Sequence, residues 1–184
     1  GVNYHNSAIQ QLPNGDMLAA YYNSPNEEDD PDQTVLVMRR RAGSDVWDMP
    51  EPWPYFADAA NAAPVIWNDP GYQSGHGSQP ARVWFFWGFP RLIGAPPFAY
   101  MTSTDNGATW SRVAFPHFTA KIGRYVSQPI NSVVRTKDGT ILMPTDSTGR
   151  DADGNGSISA VWGTHDDGRT WYDTGGRTAG RHTT

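Results

Sequence analysis

Two stretches decide the fold: Ser103-Thr104-Asp105-Asn106-Gly107-Ala108-Thr109-Trp110 and Thr164-His165-Asp166-Asp167-Gly168-Arg169-Thr170-Trp171. Both read Ser/Thr-x-Asp-x-Gly-x-Thr-Trp, and their tryptophans stand 61 positions apart. Short Asp, Ser and Thr side chains hydrogen-bond turn amides, and Gly takes the positive φ that a tight turn needs. The Trp that follows packs beneath the turn and anchors it. These residues hold up a turn; they do not carry chemistry. A weaker third copy is Arg41-Ala42-Gly43-Ser44-Asp45-Val46-Trp47, whose Trp47 lies 63 positions before Trp110 and which only its position supports. Self-similarity at a period of about sixty residues in a chain of 184 is the signature of a repeat architecture.

A second punctuation runs in step with the first. Pro13-Asn14-Gly15-Asp16, Asn68-Asp69-Pro70-Gly71 and Lys137-Asp138-Gly139 each separate two apolar stretches, as hairpin turns do. Ala8 to Leu12, Ala62 to Trp67 and Ile130 to Val134 precede these turns, and Met17 to Tyr22, Val83 to Trp87 and Thr140 to Met143 follow them. Thr34 to Met38, Phe98 to Thr102 and Ser157 to Trp162 supply a third strand, and a short strand led by Trp closes each unit. Four strands per repeat is the layout of a propeller blade. The expected fold is therefore all-β, with β-propeller blades of four antiparallel strands. Blade one covers about 1–56, blade two 57–120 and blade three 121–175, with 176–184 starting a fourth.

Composition agrees and excludes several classes. Gly 19, Pro 15 and 12% aromatic residues against 18% charged ones suit short strands and tight turns. Lys+Arg 14 against Asp+Glu 19 leaves a net charge of −5, which argues against phosphate-backbone binding and so against nucleic acid. No apolar run approaches a membrane span. With no Cys, disulfides, thiolate metal sites and a cysteine nucleophile are all excluded. The five His show no metal-ligand spacing, so no metal and no cofactor is expected. Gly1 without a preceding Met marks a processed, engineered or internal chain, and a secreted or periplasmic location is the expectation.

The two turns resemble the Asp-box (BNR) repeats of the sialidase superfamily. Tyr4-His5-Asn6-Ser7-Ala8-Ile9 with Pro13-Asn14-Gly15-Asp16-Met17-Leu18 resembles that superfamily's first blade, and Thr34 to Arg40 its third strand. Asp138-Gly139-Thr140-Ile141-Leu142 resembles a later hairpin. The resemblance implies a six-bladed propeller, with the remaining blades expected from further C-terminal sequence. Its implied activity is glycoside hydrolysis of a glycan in an axial pocket.

Residues that open the innermost strands converge on one mouth of a propeller, and this makes them the site candidates. They are His5 and Asn6 in blade one, Asn61 in blade two, Ser127 and Gln128 in blade three, and Arg181 with His182 at the start of a fourth. The bland alternative is that the amides and hydroxyls only satisfy nearby backbone groups. A second candidate is the loop Asn26-Glu27-Glu28-Asp29-Asp30-Pro31-Asp32, which packs five carboxylates into seven residues. Such a run is usually a solvated loop. In sialidases, however, the acid/base Asp comes from this loop just before the third strand, and that resemblance selects Asp32, then Asp30. Where sialidases carry an Arg-Ile-Pro motif, with an arginine for the sialic acid carboxylate, this chain has His5-Asn6-Ser7. His lacks the fixed guanidinium fork. Two other readings stay open: a polysaccharide lyase that uses His5, His182 and Arg181, and a non-catalytic glycan-binding propeller. Trp84-Phe85-Phe86-Trp87 reads as a buried strand, and the insert Tyr72 to Gln79, with His76, as a lengthened hairpin.

Overall fold

A computed structural model gives the architecture, described here for residues 3–25, 33–54, 63–74, 77–88, 96–120, 126–130, 132–147 and 158–179. No helix occurs among the described residues. The first sheet runs β1 (Asn3–Gln11), β2 (Met17–Ser24), β3 (Thr34–Arg40) and β4 (Glu51–Pro52), in that order and antiparallel throughout. In the second, β5 (Val65–Asp69) pairs across an inserted hairpin, β6 (Tyr72–Ser74) and β7 (Gly77–Gln79), with β8 (Arg82–Trp87), which pairs with β9 (Ala99–Ser103). The third contains β10 (His117–Phe118), β11 (Val126–Pro129), β12 (Val134–Arg135), β13 (Ile141–Ser147), β14 (Ile158–Thr164) and β15 (Thr170–Ala179).

The aromatic run has a simple physical origin. Successive strand residues point to opposite faces, and the middle sheet is covered on both. Val83, Phe85 and Trp87 pack with Leu18, Tyr22, Val35 and Trp53 of the first sheet. Trp84 and Phe86 turn the other way, to Ile141, Met143, Trp162 and Trp171 of the third. A strand buried on both sides is continuously apolar instead of alternating. By contrast β2, covered on one side, alternates between buried and half-buried positions along its whole length.

Three details differ from the expected strands. Trp47 does not lead a fourth strand in the first sheet: it makes one bridge to Arg40, and β4 follows at Glu51–Pro52, where prolines keep the ladder short. In the second sheet the fourth strand shrinks to the bridge between Tyr100 and Ala114; the chain then leaves as β10, which pairs parallel with β15 of the next sheet. The innermost strand of the third sheet is split into β11 and β12, with a register shift before Pro129, which has no N–H to donate.

Between the second and third sheets lies a buried ion pair. Arg135 Nε donates to Asp69 Oδ1 at 2.8 Å, and Arg135 Nη2 donates to the other carboxylate oxygen. The side chains are 4% and 0% exposed. Trp84 Nε1 also donates to Asp69, at 3.1 Å. The Arg135 guanidinium in turn reaches Gln79 and the Gly139 carbonyl, and lies 5.8 Å from the Trp67 ring centroid. Removing one member leaves the other charge buried without a partner. Asp69→Ala should therefore cost about 3–5 kcal/mol. Asp173→Ala, which breaks the half-exposed i,i+4 pair with Arg177, should cost at most about 1 kcal/mol. Urea unfolding of the two variants makes the comparison; equal midpoints would contradict the assignment of the Asp69 pair as the structural one.

Candidate functional site

The three inner strands run the same way, so the sheets have a turn end and a mouth end. Asn68 Nδ2 donates to the Gln11 carbonyl at 3.4 Å, and Arg135 reaches Asp69, which brings the last residues of β1, β5 and β12 together. Ser7–Gln10, Pro64–Trp67 and Ser132–Val133 line one cavity of about 290 Å³ between these strands.

Both eight-residue turns lie at the turn end and are built alike. Ser103 and Thr164 hydroxyls donate to Asp105 and Asp166 at 2.7 and 2.9 Å. They accept the Gly107 and Gly168 amides at 2.7 and 3.1 Å. The Thr109 and Thr170 amides donate to the same carboxylates at 2.9 and 2.8 Å. Asn106 and Asp167 take φ of 59° and 63°, with Gly107 and Gly168 following at 73° and 87°. At Gly168 a Cβ would also come within 2.8 Å of the Tyr100 hydroxyl and 3.0 Å of the Trp84 ring, so only Gly fits. Trp171 is fully buried and donates from Nε1 to the Gly168 carbonyl at 2.9 Å. Trp110 is half-buried against Trp53 and Phe85.

The titratable groups at this end are set for structure. Bonds from the Thr109 hydroxyl and amide and from Ser103 hold the Asp105 carboxyl down at about 2. Thr136 and Thr140 do the same for Asp138, and the Ala42 amide with Arg39 for Asp16, each to about 2. Such carboxylates stay ionised and are not proton donors. Burial, then the Asp167 charge, pushes the Tyr100 phenol up to about 12, where it remains a donor to the Gly168 carbonyl at 3.0 Å. A cavity of about 550 Å³ lies at this end between Met38, Trp53 and Trp110. Its Arg39 is fully engaged, with Asp16, Asn106 O and Gly107 O.

The mouth end holds the sequence candidates that the structure describes. His5 opens β1 and stacks on Tyr22, with ring centroids 5.6 Å apart and planes at 15°. Asn6 beside it is exposed, with φ 47°. The backbone of Ser127 and Gln128 lies in β11 between Val126, paired with Ser147, and Pro129, paired with Thr145, which places it at the same end. Asn3 pairs with Ser24 and Asn23 with Thr34, so both anchors of the acidic loop stand beside the start of β1. Asp30, Asp32, Asn61, His76, Arg181 and His182 lie outside the described residues. Two residues that sequence reading does not single out join His5: Tyr4, 64% exposed, and Tyr21, in edge contact at 5.7 Å. Tyr4, His5, Asn6, Ser7 and Tyr21 line a cavity of about 430 Å³. Among the described residues no group of His, Asp and Glu is arranged to hold a metal ion.

No protein-family model matches the chain, and no curated protein matches it. Solved structures do. An α-L-arabinofuranosidase from Fusarium graminearum in complex with an iminosugar inhibitor superposes with a TM-score of 0.63 at 12% identity, over 96% of this chain and 48% of that one. The GH93 α-L-arabinofuranosidase of the same organism with arabinobiose gives 0.62 at 13%, over 91% and 46%. An α-L-arabinanase from Penicillium chrysogenum complexed with arabinobiose gives 0.59 at 18%, over 98% and 50%. The likeness shows the fold, a β-propeller, and the chain spans about half the length of these proteins.

The turn-end carboxylates predict a pH dependence of stability. Their pKa in the folded state lies below the ordinary 3.8, so the stability they confer is present above that value and lost as pH falls through about 2. The thermal midpoint should be flat near neutrality and fall between about pH 4 and pH 2. Asp105→Asn should lower the neutral plateau and flatten part of the acid slope; an unchanged slope would show that Asp105 titrates as it does in the unfolded chain.

Proposed function

We propose that the chain contributes the acid side of the active site of a propeller glycoside hydrolase acting on a neutral, arabinose-containing glycan. Asp32 is the proton donor, with Asp30 as the next candidate. His5, Asn6, Asn61, Gln128, Arg181 and His182 position the sugar. The observation that carries this reading is the strand register. Tyr4 pairs with Asn23, His5 with Tyr22 and Asn23 with Thr34, so the strand ends that flank the acidic run, Ser24 and Thr34, stand at the mouth beside His5, which supports this reading.

Asp32 would protonate the glycosidic oxygen as the bond to the anomeric carbon breaks, while a nucleophile or water attacks the opposite face. That second group belongs to further blades. An acid of this kind must keep its proton near neutral pH, and like-charge repulsion in a run of five carboxylates within 26–32 works in that direction. A neutral sugar is favoured over sialic acid because His5-Asn6-Ser7 offers no guanidinium for a carboxylate. The arabinobiose in two of the similar structures supports a furanose glycan.

The test is reducing-sugar release from arabino-oligosaccharides by the complete propeller and its variants. Asp32→Asn should lower turnover by about 10²–10⁴ and change stability by no more than about 0.5 kcal/mol. Loss of activity in Asp30→Asn but not in Asp32→Asn would move the acid by two residues. Full activity in both would reduce the loop to a solvated face. Release of sialic acid, or unsaturated uronate products from an acidic polysaccharide, would overturn the neutral-glycan assignment.

A further inference from the structure

The first strand carries an irregularity between His5 and Ala8. His5 pairs with Tyr22 and Ala8 with Ala20, so three steps on β1 match two on β2. Side chains alternate along a strand, and without this bulge His5 would point to the face opposite Tyr22. Asn6 absorbs the extra residue in the left-handed region, at φ 47°, where Asn is among the few non-glycine residues tolerated. The bulge has two outcomes. His5 lies flat on Tyr22, and Tyr4 is thrown to the other face, where it meets Tyr21 edge-on at 69° and keeps 64% of its surface exposed. The next two residues, Asn6 and Ser7, stand exposed.

The result is a shallow cavity of about 430 Å³ lined by two tyrosines, Tyr4 and Tyr21, and by the polar residues His5, Asn6 and Ser7. A sugar residue is amphipathic in the same way, with an apolar C–H face and a rim of hydroxyls. Sites that bind such ligands combine an aromatic wall with a few convergent polar groups. We propose that the bulge at Asn6 builds a sugar subsite next to His5, in which Tyr4, backed by Tyr21, stacks on one residue of the glycan and the Asn6 and Ser7 side chains take its hydroxyls. The choice of sugar rests on the hydrolase reading; the subsite itself rests on the bulge and the rings it separates. Asn6 has two roles here, its backbone making the bulge and its amide meeting the ligand.

Calorimetric titration and turnover with arabinobiose and longer arabino-oligosaccharides test this in wild type, Tyr4→Ala, Tyr4→Phe, Asn6→Gly and Asn6→Val. Tyr4→Ala should weaken binding of the longer oligosaccharides by about tenfold, raising KM without lowering kcat, while Tyr4→Phe binds like wild type. Asn6→Gly keeps the left-handed backbone and should lose only the amide's share. Asn6→Val opposes that backbone and should also abolish the ring-current shift of the His5 imidazole on Tyr22, read by NMR. Turnover that is insensitive to Tyr4→Ala, with a lowered Tm instead, would assign the ring to blade packing and overturn the subsite while the hydrolase reading stands. Binding that weakens in Tyr4→Ala without turnover in wild type would keep the subsite and overturn the hydrolase. No binding of any oligosaccharide to wild type would overturn the subsite.

Discussion

Arginines that cross from one sheet to the next hold this structure in phase. Sheets packed face to face share no ladder of backbone bonds, and apolar contact alone lets them slide. Arg39 of β3 grips the Asn106 and Gly107 carbonyls, Arg82 of β8 the Asp167 carboxylate, and Arg135 of β12 the buried Asp69. Each guanidinium also satisfies groups in its own or the neighbouring turn, so the directional bonds fix the relative rotation of two sheets whose contact is otherwise greasy. The half-turn Arg41 to Trp47 shows the same logic: it lacks its own full set of acceptors, and Asp16 supplies them by accepting the Ala42 amide at 2.8 Å while pairing with Arg39.

This division of labour separates stability from chemistry in space. At the turn end Asp16, Asp105 and Asp138 are held ionised by hydroxyls, amides and Arg39, and a group so satisfied has no proton to give. The mouth end has what a binding surface needs: strand starts, loop anchors, the exposed Tyr4 and a strained asparagine.

Much of the fold was legible because it repeats. The two Ser/Thr-x-Asp-x-Gly-x-Thr-Trp segments carry their turn chemistry in residues close in sequence, and they adopt the same bonds and dihedrals. The run Trp84–Trp87 was readable as a buried strand for the same local reason. What escaped depends on partners far along the chain. Arg39, Arg82 and Arg135 look in sequence like surface arginines. The break before Pro129, the departure of the chain after Ala114 and the bulge at Asn6 are set by register against another strand. The position of His5 at a strand start could be read from the phase of the hairpins, but its pairing with Tyr22 and the exposure of Tyr4 could not, because one extra residue inverts the faces.

The parallel pairing of β10 with β15 sets a boundary that differs from the visible one. His117 and Phe118 follow the second sheet's turn in the chain yet lie against Thr170 and Trp171 of the third. Phe118 packs at 4.9 Å on Trp162 and at 5.3 Å on Phe98, so a single ring touches both neighbours. At this junction the piece that grafting can copy without loss is therefore not a sheet. It is a sheet offset by one segment, carrying the connector that clamps its successor. A blade transplanted at its sheet borders would arrive without the strap that holds the next one, and a blade transplanted with that strap would bring its own fastening.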